Sequence, residues 1–354
     1  MGKYPKVYVI ILNYNGWVDT IECLESVLGN DYPNYQVIVV DNNSPNNSME
    51  YIKAWAKGKL DVWVKSDHPL RHLSFPPVKK PISYVYYTRE EAERGGVLEY
   101  ERDLEGKIPE GIKRAYKKGY DWLWLMDDDA EPVEDSLKKL EKFFNEKKVV
   151  ALASSVLLTN GQVAYNHRGS VNLGSIFPLI QKPIPFKKYK KLKVEIDMAS
   201  FVGILVSRRA IDKVDFPKKE FFIHHDDVEY CIRLRKVGKI LLIPDSKIIH
   251  KEAAKKGIPK VFLGRKSIRI PYEKFWLTYY GKRNLVWLGK KYSTNKLNFY
   301  LGFIKSLSRS ILGVLLFDDN KFKRTKFIIN AYIDGLKDNF DNEKPRRILY
   351  GNKR

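Results

Sequence analysis

The residues best suited to chemistry in this sequence are three consecutive aspartates, Asp127, Asp128 and Asp129, which follow the apolar run WLWLM at 122–126. Adjacent carboxylates repel one another, so the cluster is stable at low cost only if it is solvated or if a cation lies among its oxygens. Two carboxylates one residue apart at a strand end can chelate Mg²⁺ or Mn²⁺ and leave other positions for phosphate oxygens. The alternative is a solvated acidic turn, which Asp and the following Pro132 also favour.

A second group of titratable residues, HHDD at 224–227, stands at the start of a helical pattern. Asp226 or Asp227 would serve there as a helix N-cap. Either carboxylate would equally serve as a general base, because neighbouring charges tune its pKa. His250 ends the apolar run KILLIPDSKIIH at 239–250 and is a candidate third metal ligand, with a purely structural histidine as the alternative.

Strand-like and helix-like segments alternate and would position these residues. VYVIILN (7–13) and QVIVVDNNS (36–44) are apolar runs that end in Asn and Asp, and helical spacing follows each of them at 17–29 and 49–57. Uniformly apolar strands that alternate with helices are typical of a parallel sheet covered on both faces. Ligands of such sheets bind at the carboxyl ends of the strands. The polar strand ends therefore predict one binding cleft.

The charge of the chain is concentrated in its last third. The 354 residues carry a formal net charge of +22, and residues 251–354 hold 25 Lys and Arg against 8 Asp and Glu, a net of +17. We therefore predict two domains, 1–255 and a basic helical region at 256–354. A basic surface of this kind suits an anionic partner, either nucleic acid or a phospholipid leaflet, although a merely soluble basic face is the alternative.

One amphipathic segment in the basic region suggests a membrane surface. Its apolar stripe lies beside Lys305 and Arg309 and precedes the basic run KFKRTK (321–326). A basic amphipathic helix can lie in the headgroup region of an anionic leaflet; packing on the catalytic domain or on a second subunit in a homo-oligomer is the alternative. The stripe consists of Phe303, Ile304, Leu307, Ile311, Leu312 and Leu315.

The expected compartment is the cytoplasm, at the cytoplasmic face of the cell membrane. The first 16 residues look like a strand rather than a signal peptide. No run of about 18 uninterrupted apolar residues occurs, so we expect no membrane span. Two isolated cysteines, Cys23 and Cys231, form neither a disulfide framework nor a zinc motif and favour a reducing compartment.

Taken together, these pieces resemble the inverting family 2 glycosyltransferases of the GT-A fold, and in particular their rhamnosyltransferase and galactofuranosyltransferase-like branch. The resemblance is seen in VYVIILNYNG, VIVVDNNS, GIKRAYKKGYDWLWLMDDDAEP, ASFVGILVSRRAI and FFIHHDDVEYCIRLRKVGKILLIPDSKIIH, in this order over most of residues 5–250. One departure concerns the donor loop, which is rich in Asn and Gly in that branch. Here only Arg94-Gly95-Gly96 matches it, within the irregular segment 66–108.

The resemblance implies a Rossmann-like, mostly parallel sheet flanked by helices, and a role for each polar group. Asp127 and Asp129 would bind Mn²⁺ or Mg²⁺ with His250, and Asp227 would be the catalytic base, with Asp226 contacting the acceptor or as the alternative base. The resemblance implies that the sugar nucleotide (UDP-, dTDP- or GDP-linked) is bound by Asn13, Tyr14, Asn15, Asp41, Asp127 and Asp128.

The implied reaction is direct displacement with inversion, which transfers the sugar to a hydroxyl of a saccharide or lipid-linked glycan. Three other classes stay open: a nucleotidyltransferase acting on sugar phosphates, a basic nucleic-acid-binding protein and a scaffold without activity. Nucleic acid is the weaker partner, because an acidic cleft would repel a phosphate backbone and no reader motif is present.

Overall fold

The computed structural model describes residues 4–61, 68, 70–88, 119–251 and 257–351. Its strands are β1 Val7–Asn13, β2 Tyr35–Asp41, β3 Trp122–Asp127, β4 Ala130–Pro132, β5 Val149–Leu157, β6 Arg168–Val171, β7 Gln181–Pro183, β8 Val194–Ile196, β9 Met198–Ala199, β10 Ile204–Ser207, β11 Lys239–His250, β12 Ile258–Phe262 and β13 Arg265–Arg269. Its helices are α1 Trp17–Leu28, α2 Ser48–Ala56, α3 Arg71–Ser74, α4 Ser136–Glu141, α5 Arg208–Val214, α6 Asp226–Arg235, α7 Leu277–Tyr292, α8 Lys296–Phe317, α9 Lys321–Lys337 and α10 Lys344–Tyr350.

The chain divides into two compact units. The first comprises Met1–Gly169, Pro183–Pro217 and Tyr230–Glu252. The second comprises Ser170–Lys182, Lys218–Glu229 and Ala253–Arg354. Two segments from earlier in the chain, Ser170–Lys182 and Lys218–Glu229, thus belong to the same unit as the C-terminal residues. The charge and the periodicity of the sequence do not indicate this grouping.

One large sheet forms the centre of the first unit. Its strand order is β2-β1-β3-β10-β5-β11-β4, and β8 pairs with β11. β1 is parallel to β2 and β3, and β5 is parallel to β11, whereas β10 runs antiparallel between β3 and β5. The mostly parallel sheet flanked by helices that the sequence predicted is therefore confirmed.

The strand β3 shows why the acidic cluster lies where it does. Trp122, Leu123, Trp124, Leu125 and Met126 are all at most 4% exposed, so both faces of this strand are covered. A central strand of a parallel sheet needs apolar residues on both faces. The first polar residue therefore emerges where the strand leaves the core, at its carboxyl end.

Several shorter segments also have a predicted character that can be compared with the structure. The apolar segment MASFVGILVS (198–207) is predicted to belong to the core; it contains the buried strands β9 and β10, separated near Gly203, which has a φ of +75° and where a Cβ would lie 2.2 Å from Cδ1 of Ile248. Helical spacing over 134–147 predicts a helix, and the structure has the shorter helix α4 there. The apolar and aromatic residues at 83–87 predict one strand, but these residues have no regular structure. The helix expected at 109–119, apart from its last residue, and Arg94-Gly95-Gly96 lie outside the described residues.

The second unit contains the C-terminal helices that the sequence predicted from Tyr272 onward. Helix α9 packs closely against helix α7 at Gly335. A Cβ at this position would lie only 2.5 Å from the carbonyl oxygen of Arg283 in α7. Before these helices, β12 and β13 form an antiparallel hairpin that was not anticipated. Its turn at Leu263-Gly264 lacks the Asn-Gly or Asp-Gly pair by which such hairpins are usually found.

Helix α8 is long and apolar enough, by length and composition alone, to cross a membrane. The same helix carries Lys305 and Arg309, and only Phe299 and Val314 of it are buried. The predicted apolar stripe faces two ways: Phe303, Leu307 and Ile311 are partly buried, whereas Ile304, Leu312 and Leu315 are exposed.

Candidate active site

The side chains of Asp127, Asp129 and His250 converge at the end of β3. Their ligand atoms all lie within 4.8 Å of one another, and Nε2 of His250 is 2.9 Å from Oδ1 of Asp129. Strand pairing brings them together, because the end of β11 pairs antiparallel with β4, directly after the acidic cluster, with His250 opposite Ala130. The backbone amide of Lys251 also donates to the carbonyl oxygen of Asp129 at 3.0 Å.

The two neighbouring aspartates differ in their electrostatic environment. Burial, together with the charges of Asp129 and Asp127, raises the pKa of Asp128 to about 7. Burial also acts to raise the pKa of Asp129, but the hydrogen bond and charge of His250 outweigh it, so this pKa lies below its ordinary value. Crowded carboxylates whose pKa values diverge in this way are typical of functional sites.

Asp128 packs against the loop that follows β1. A Cβ on Gly16 would lie only 2.5 Å from Oδ2 of Asp128, so a side chain at this position would displace the carboxylate or the loop. The hydroxyl of Thr20 is 3.5 Å from the same oxygen, and the backbone amide of Tyr14 is hydrogen bonded to this carboxylate. The acidic cluster and the end of β1 therefore form one surface.

The ends of β1 and β2 form a second polar group in the first unit. Asn13 and Asp41 are opposite each other in the parallel register, and the side-chain amide of Asn13 donates to the Asp41 carboxylate. Ser44 donates to the same carboxylate through its hydroxyl, at 2.6 Å, and through its backbone amide, at 3.0 Å. Asp41 is thus held in one orientation, with hydrogen bonds to both of its oxygens.

Tyr14 and Asn15 shape the turn between β1 and α1. Asn15 has a φ of +59°, which asparagine tolerates better than most residues, and its backbone N–H donates to the Ser44 hydroxyl at 2.9 Å. Its carbonyl oxygen accepts from the side chain of Asn46 at 2.9 Å. Tyr14 is 55% exposed, so its ring is available to a planar ligand.

A partly buried lysine that sequence reasoning missed lies next to the acidic cluster. Nζ of Lys251 is 2.9 Å from Oε1 of Glu131 and 3.2 Å from Oδ1 of Asp19, and it also pairs with Glu22. Glu131 is only 1% exposed. Although burial opposes the charged form, these carboxylates raise the pKa of Lys251, which therefore stays protonated. The lysine offsets acidic charge directly beside the metal-ligand candidates.

The acid pair Asp226 and Asp227 lies in the second unit and begins helix α6. Oδ1 of Asp227 accepts from the backbone amide of Val228 at 2.7 Å. The two preceding residues, His224 and His225, have φ values of +68° and +64°. Two successive left-handed non-glycine residues are rare and strained, and such conformations are concentrated at functional sites.

Helix α7 holds this strained loop in place. The buried side-chain amide of Asn284 donates to the carbonyl oxygens of Phe221, at 2.9 Å, and of His224, at 2.8 Å. The adjacent Arg283, also buried, donates to the carbonyl oxygen of Glu220 at 3.0 Å. In the sequence both are polar residues within a helix, and nothing local to them indicates the loop that they hold.

The residues at the end of β3 suit a divalent cation. Two carboxylates and one imidazole offer oxygen and nitrogen ligands, which suit Mn²⁺, and Mg²⁺ if the carboxylates and substrate oxygens dominate. The three ligand atoms are already close enough to share one ion. Cations of this kind commonly bind the phosphates of a nucleotide together with one or two carboxylates.

Comparison with known proteins finds similarity to glycosyltransferases. The family description "Glycosyl transferase family 2" matches residues 8–74. The dTDP-rhamnosyl transferase RfbF of Shigella flexneri is 24% identical over 236 residues, which span 64% of this chain and 73% of that protein.

Among solved structures, GalNAc-T7 with UDP, GalNAc and Mn²⁺ superposes with a TM-score of 0.52 at 13% identity, over 95% of this chain and 57% of that chain. The Staphylococcus aureus protein TarS 1–349 in complex with UDP-GlcNAc has a TM-score of 0.47 at 14% identity, over 97% of this chain and 87% of that one. This chain thus spans a little over half the length of the GalNAc-T7 chain.

The fold is thus that of the GT-A glycosyltransferases. The sequence matches support a glycosyltransferase enzyme, and residues 8–74 are similar to the family 2 glycosyltransferases.

Proposed function

We propose that the chain is a metal-dependent, inverting glycosyltransferase that moves a sugar from a nucleoside diphosphate to a hydroxyl of a saccharide or lipid-linked glycan. The observation that supports this most strongly is the convergence of Asp127, Asp129 and His250 within 4.8 Å. The similar protein RfbF is described as a dTDP-rhamnosyl transferase, and the GalNAc-T7 structure contains UDP and Mn²⁺.

In this proposal the first unit binds the donor. Asp127, Asp129 and His250 hold Mn²⁺ or Mg²⁺, which when bound offsets the charge that develops on the leaving diphosphate. Asp41, oriented by Asn13 and Ser44, binds the base or ribose of a UDP-, dTDP- or GDP-linked sugar. The remaining lining residues of the donor site are Tyr14, Asn15 and Asp128.

In this proposal Asp227 acts as the general base. Its carboxylate accepts the proton of the acceptor hydroxyl while that oxygen forms a bond to the anomeric carbon. The bond between this carbon and the diphosphate oxygen breaks, and the nucleoside diphosphate leaves with the electron pair. Because attack occurs on the face opposite the leaving group, the configuration inverts without a covalent enzyme intermediate. Asp226 contacts the acceptor and is the alternative base.

The second candidate, a nucleotidyltransferase acting on sugar phosphates, would use the same kind of strand-end carboxylates. The two reactions are separated by their products, since a glycosyltransferase releases nucleoside diphosphate and a nucleotidyltransferase releases pyrophosphate. A nucleic-acid-binding function would instead show sequence-independent, salt-sensitive binding to DNA.

The test is a transfer assay preceded by a thermal-shift panel of UDP-, GDP- and dTDP-sugars, each with Mn²⁺, Mg²⁺ or EDTA. We expect one nucleotide class to stabilise the protein, with the effect lost in EDTA. With that donor, Asp227→Asn should lower turnover by about 10²–10⁴-fold and leave donor stabilisation intact, because a general base contributes on this scale. Near-normal turnover of Asp227→Asn would show that the base is another residue.

We place the enzyme at the cytoplasmic face of the cell membrane, where lipid-linked acceptors are found, with its basic C-terminal helices on the anionic surface. The net charge of +17 over residues 251–354 supports this placement. The alternative is that the same helices form an interface between two copies of the chain. Gel filtration without lipid distinguishes the two, because only self-association would give an oligomer under these conditions.

A further inference from the structure

The hairpin formed by β12 and β13 has two unlike faces. Directly opposed residues of an antiparallel pair share a face, and successive residues alternate between faces. The register pairs Ile258 with Arg269, and it pairs Pro259 with Ile268 and Val261 with Lys266 on the other face. We call the face formed by Pro259, Val261, Lys266 and Ile268 the outer face of the hairpin.

The face that contains Arg269 is anchored to the C-terminal end of α8. Nε of Arg269 donates to Oδ1 of Asp318 at 2.8 Å, and a second bond from the same guanidinium reaches the other oxygen. Asp318 is only 6% exposed. A Cβ on Gly313 would lie 3.0 Å from Nη1 of Arg269, so the guanidinium also covers the helix backbone. A bidentate, largely buried pair of this kind fixes the geometry of the two elements.

The outer face and the tip of the hairpin are apolar and exposed. Val261 is 64%, Ile268 77% and Leu263 86% exposed. Leu263 also has a φ of +46°, at a turn position where Asn, Asp or Gly would be adopted more easily. Large apolar residues clustered in this way on a small projecting element mark an interaction site more often than a soluble surface.

Exposed leucines also lie on α8, within one turn of Gly313. Leu312, Leu315 and Leu316 are 56%, 45% and 40% exposed, and they flank Gly313 in the sequence. Phe322, at the start of α9, is 82% exposed.

The charges around this surface are predominantly positive. Lys266 lies on the outer face itself, and Lys321 and Lys323 begin α9. The nearby acidic groups are already engaged, since Asp318 pairs with Arg269 and Asp319 with Arg324. Apolar tips surrounded by lysines match the interface of an anionic bilayer, where apolar groups enter the acyl boundary and lysines meet the headgroups.

We propose that the β12–β13 hairpin inserts its outer face and the Leu263 tip into an anionic phospholipid leaflet, with the exposed leucines at the C-terminal end of α8 beside it. This deepens, and rests on, the membrane placement proposed above. A second copy of the chain fits less well. A two-fold interface places the same patch against itself, so Lys266, Lys321 and Lys323 would face their own counterparts.

The test is flotation of the full chain with vesicles of phosphatidylcholine alone or mixed with phosphatidylglycerol. The test variant is Leu263→Ser/Ile268→Ser, which removes apolar atoms from exposed positions. The matched control is Leu179→Ser/Leu192→Ser, at positions that are 65% and 67% exposed and lie outside the hairpin. We expect binding to the mixed vesicles only, and a partition coefficient about tenfold lower or more in the test variant but not in the control.

A second measurement reports on insertion itself. Leu263→Cys and, as control, Leu192→Cys are labelled with an environment-sensitive fluorophore; the native thiols of Cys23 and Cys231 are buried. Emission from position 263 should shift to the blue with the mixed vesicles, and emission from position 192 should not.

Unchanged flotation of Leu263→Ser/Ile268→Ser, or no spectral shift at position 263, would overturn the proposal. Self-association that is lost in this variant, without vesicle binding by the wild type, would assign the surface to a second copy instead. Thermal shifts with sugar nucleotides, measured on the same samples, keep the two proposals separate. If sugar nucleotides stabilise the protein but vesicles do not bind it, only the hairpin proposal is contradicted. If vesicles bind the protein but no sugar nucleotide stabilises it, only the donor-site proposal is contradicted.

Discussion

Nε2 of His250 lies 2.9 Å from Oδ1 of Asp129, although the two residues come from distant segments of the chain. The contact follows from three residues of strand pairing, in which the end of β11 runs antiparallel to β4, immediately after the acidic cluster. A histidine is thereby added to a carboxylate pair at the carboxyl end of a sheet. The resulting set of oxygen and nitrogen ligands is the basis for the metal and diphosphate site that we propose.

Gly16 should be required for donor binding. In Gly16→Ala the new methyl group would lie 2.5 Å from Oδ2 of Asp128, so the carboxylate or the loop after β1 has to move. We expect the Kd for the sugar nucleotide to rise about tenfold to a hundredfold, the scale on which a displacement of about 1 Å acts. Isothermal titration with the donor measures this.

Gly29→Ala is the matched control for this substitution, at the other end of α1. Its methyl group would meet its nearest neighbour, the carbonyl oxygen of Glu25, at 3.4 Å, an ordinary contact. If both variants bind the donor equally well, the acidic cluster is not held by the loop after β1.

Lys251 should stabilise the first unit through the two buried carboxylates that it pairs with. In Lys251→Met, Glu131 and Glu22 lose their cation and remain largely buried. Breaking such a buried pair costs about 3–5 kcal/mol of unfolding free energy. Urea denaturation is the measurement.

Lys139→Met is the control for the lysine substitution, because Lys139 pairs with Asp135 at the surface. Exposed pairs of this kind contribute about 0–1 kcal/mol. Equal destabilisation by the two substitutions would argue against the buried network next to the acidic cluster.

The stability of the protein should fall on mild acidification because of His225. Burial, followed by the positive charges of His224 and Lys282, lowers the pKa of His225 from 6.5 to about 4. The unfolded chain therefore binds a proton below about pH 6.5 that the folded chain excludes until about pH 4. This contribution is fully present above pH 6.5 and is lost as the pH falls towards 4.

The midpoint of urea unfolding, compared at pH 7.5 and pH 5, checks this prediction. Wild type should lose about 2 kcal/mol more than His225→Gln over this interval. The same loss in both proteins would mean that the proton is taken up at other groups.

The sequence was sufficient to predict which polar residues lie together at the carboxyl ends of the strands. Apolar runs that end in Asn or Asp placed Asn13, Asp41 and Asp127 at one edge of the sheet, and β1, β2 and β3 are indeed neighbours in parallel register. The pattern works here because buried central strands must be apolar throughout and polar residues can appear only at their ends.

Other features depend on contacts that no local pattern records. Lys251 looks like one lysine among many in the sequence, and only the fold shows that Glu22 and Glu131 surround it. The role of Asn284 depends on the carbonyl groups of a strained loop that is distant in sequence. The β12–β13 hairpin was missed because its turn contains Leu263 where a turn-forming residue is expected.

The most direct test of the account is titration of Mn²⁺ into the protein in the presence of the nucleoside diphosphate that the thermal-shift panel selects. Wild type, Asp127→Ala and His250→Ala are compared with Asp135→Ala, which removes a carboxylate from the surface of the same unit. We predict saturable binding of one ion per chain, weakened about tenfold or more in Asp127→Ala and His250→Ala and unchanged in Asp135→Ala. Equal Mn²⁺ affinity in all four proteins would contradict the proposed metal and diphosphate site.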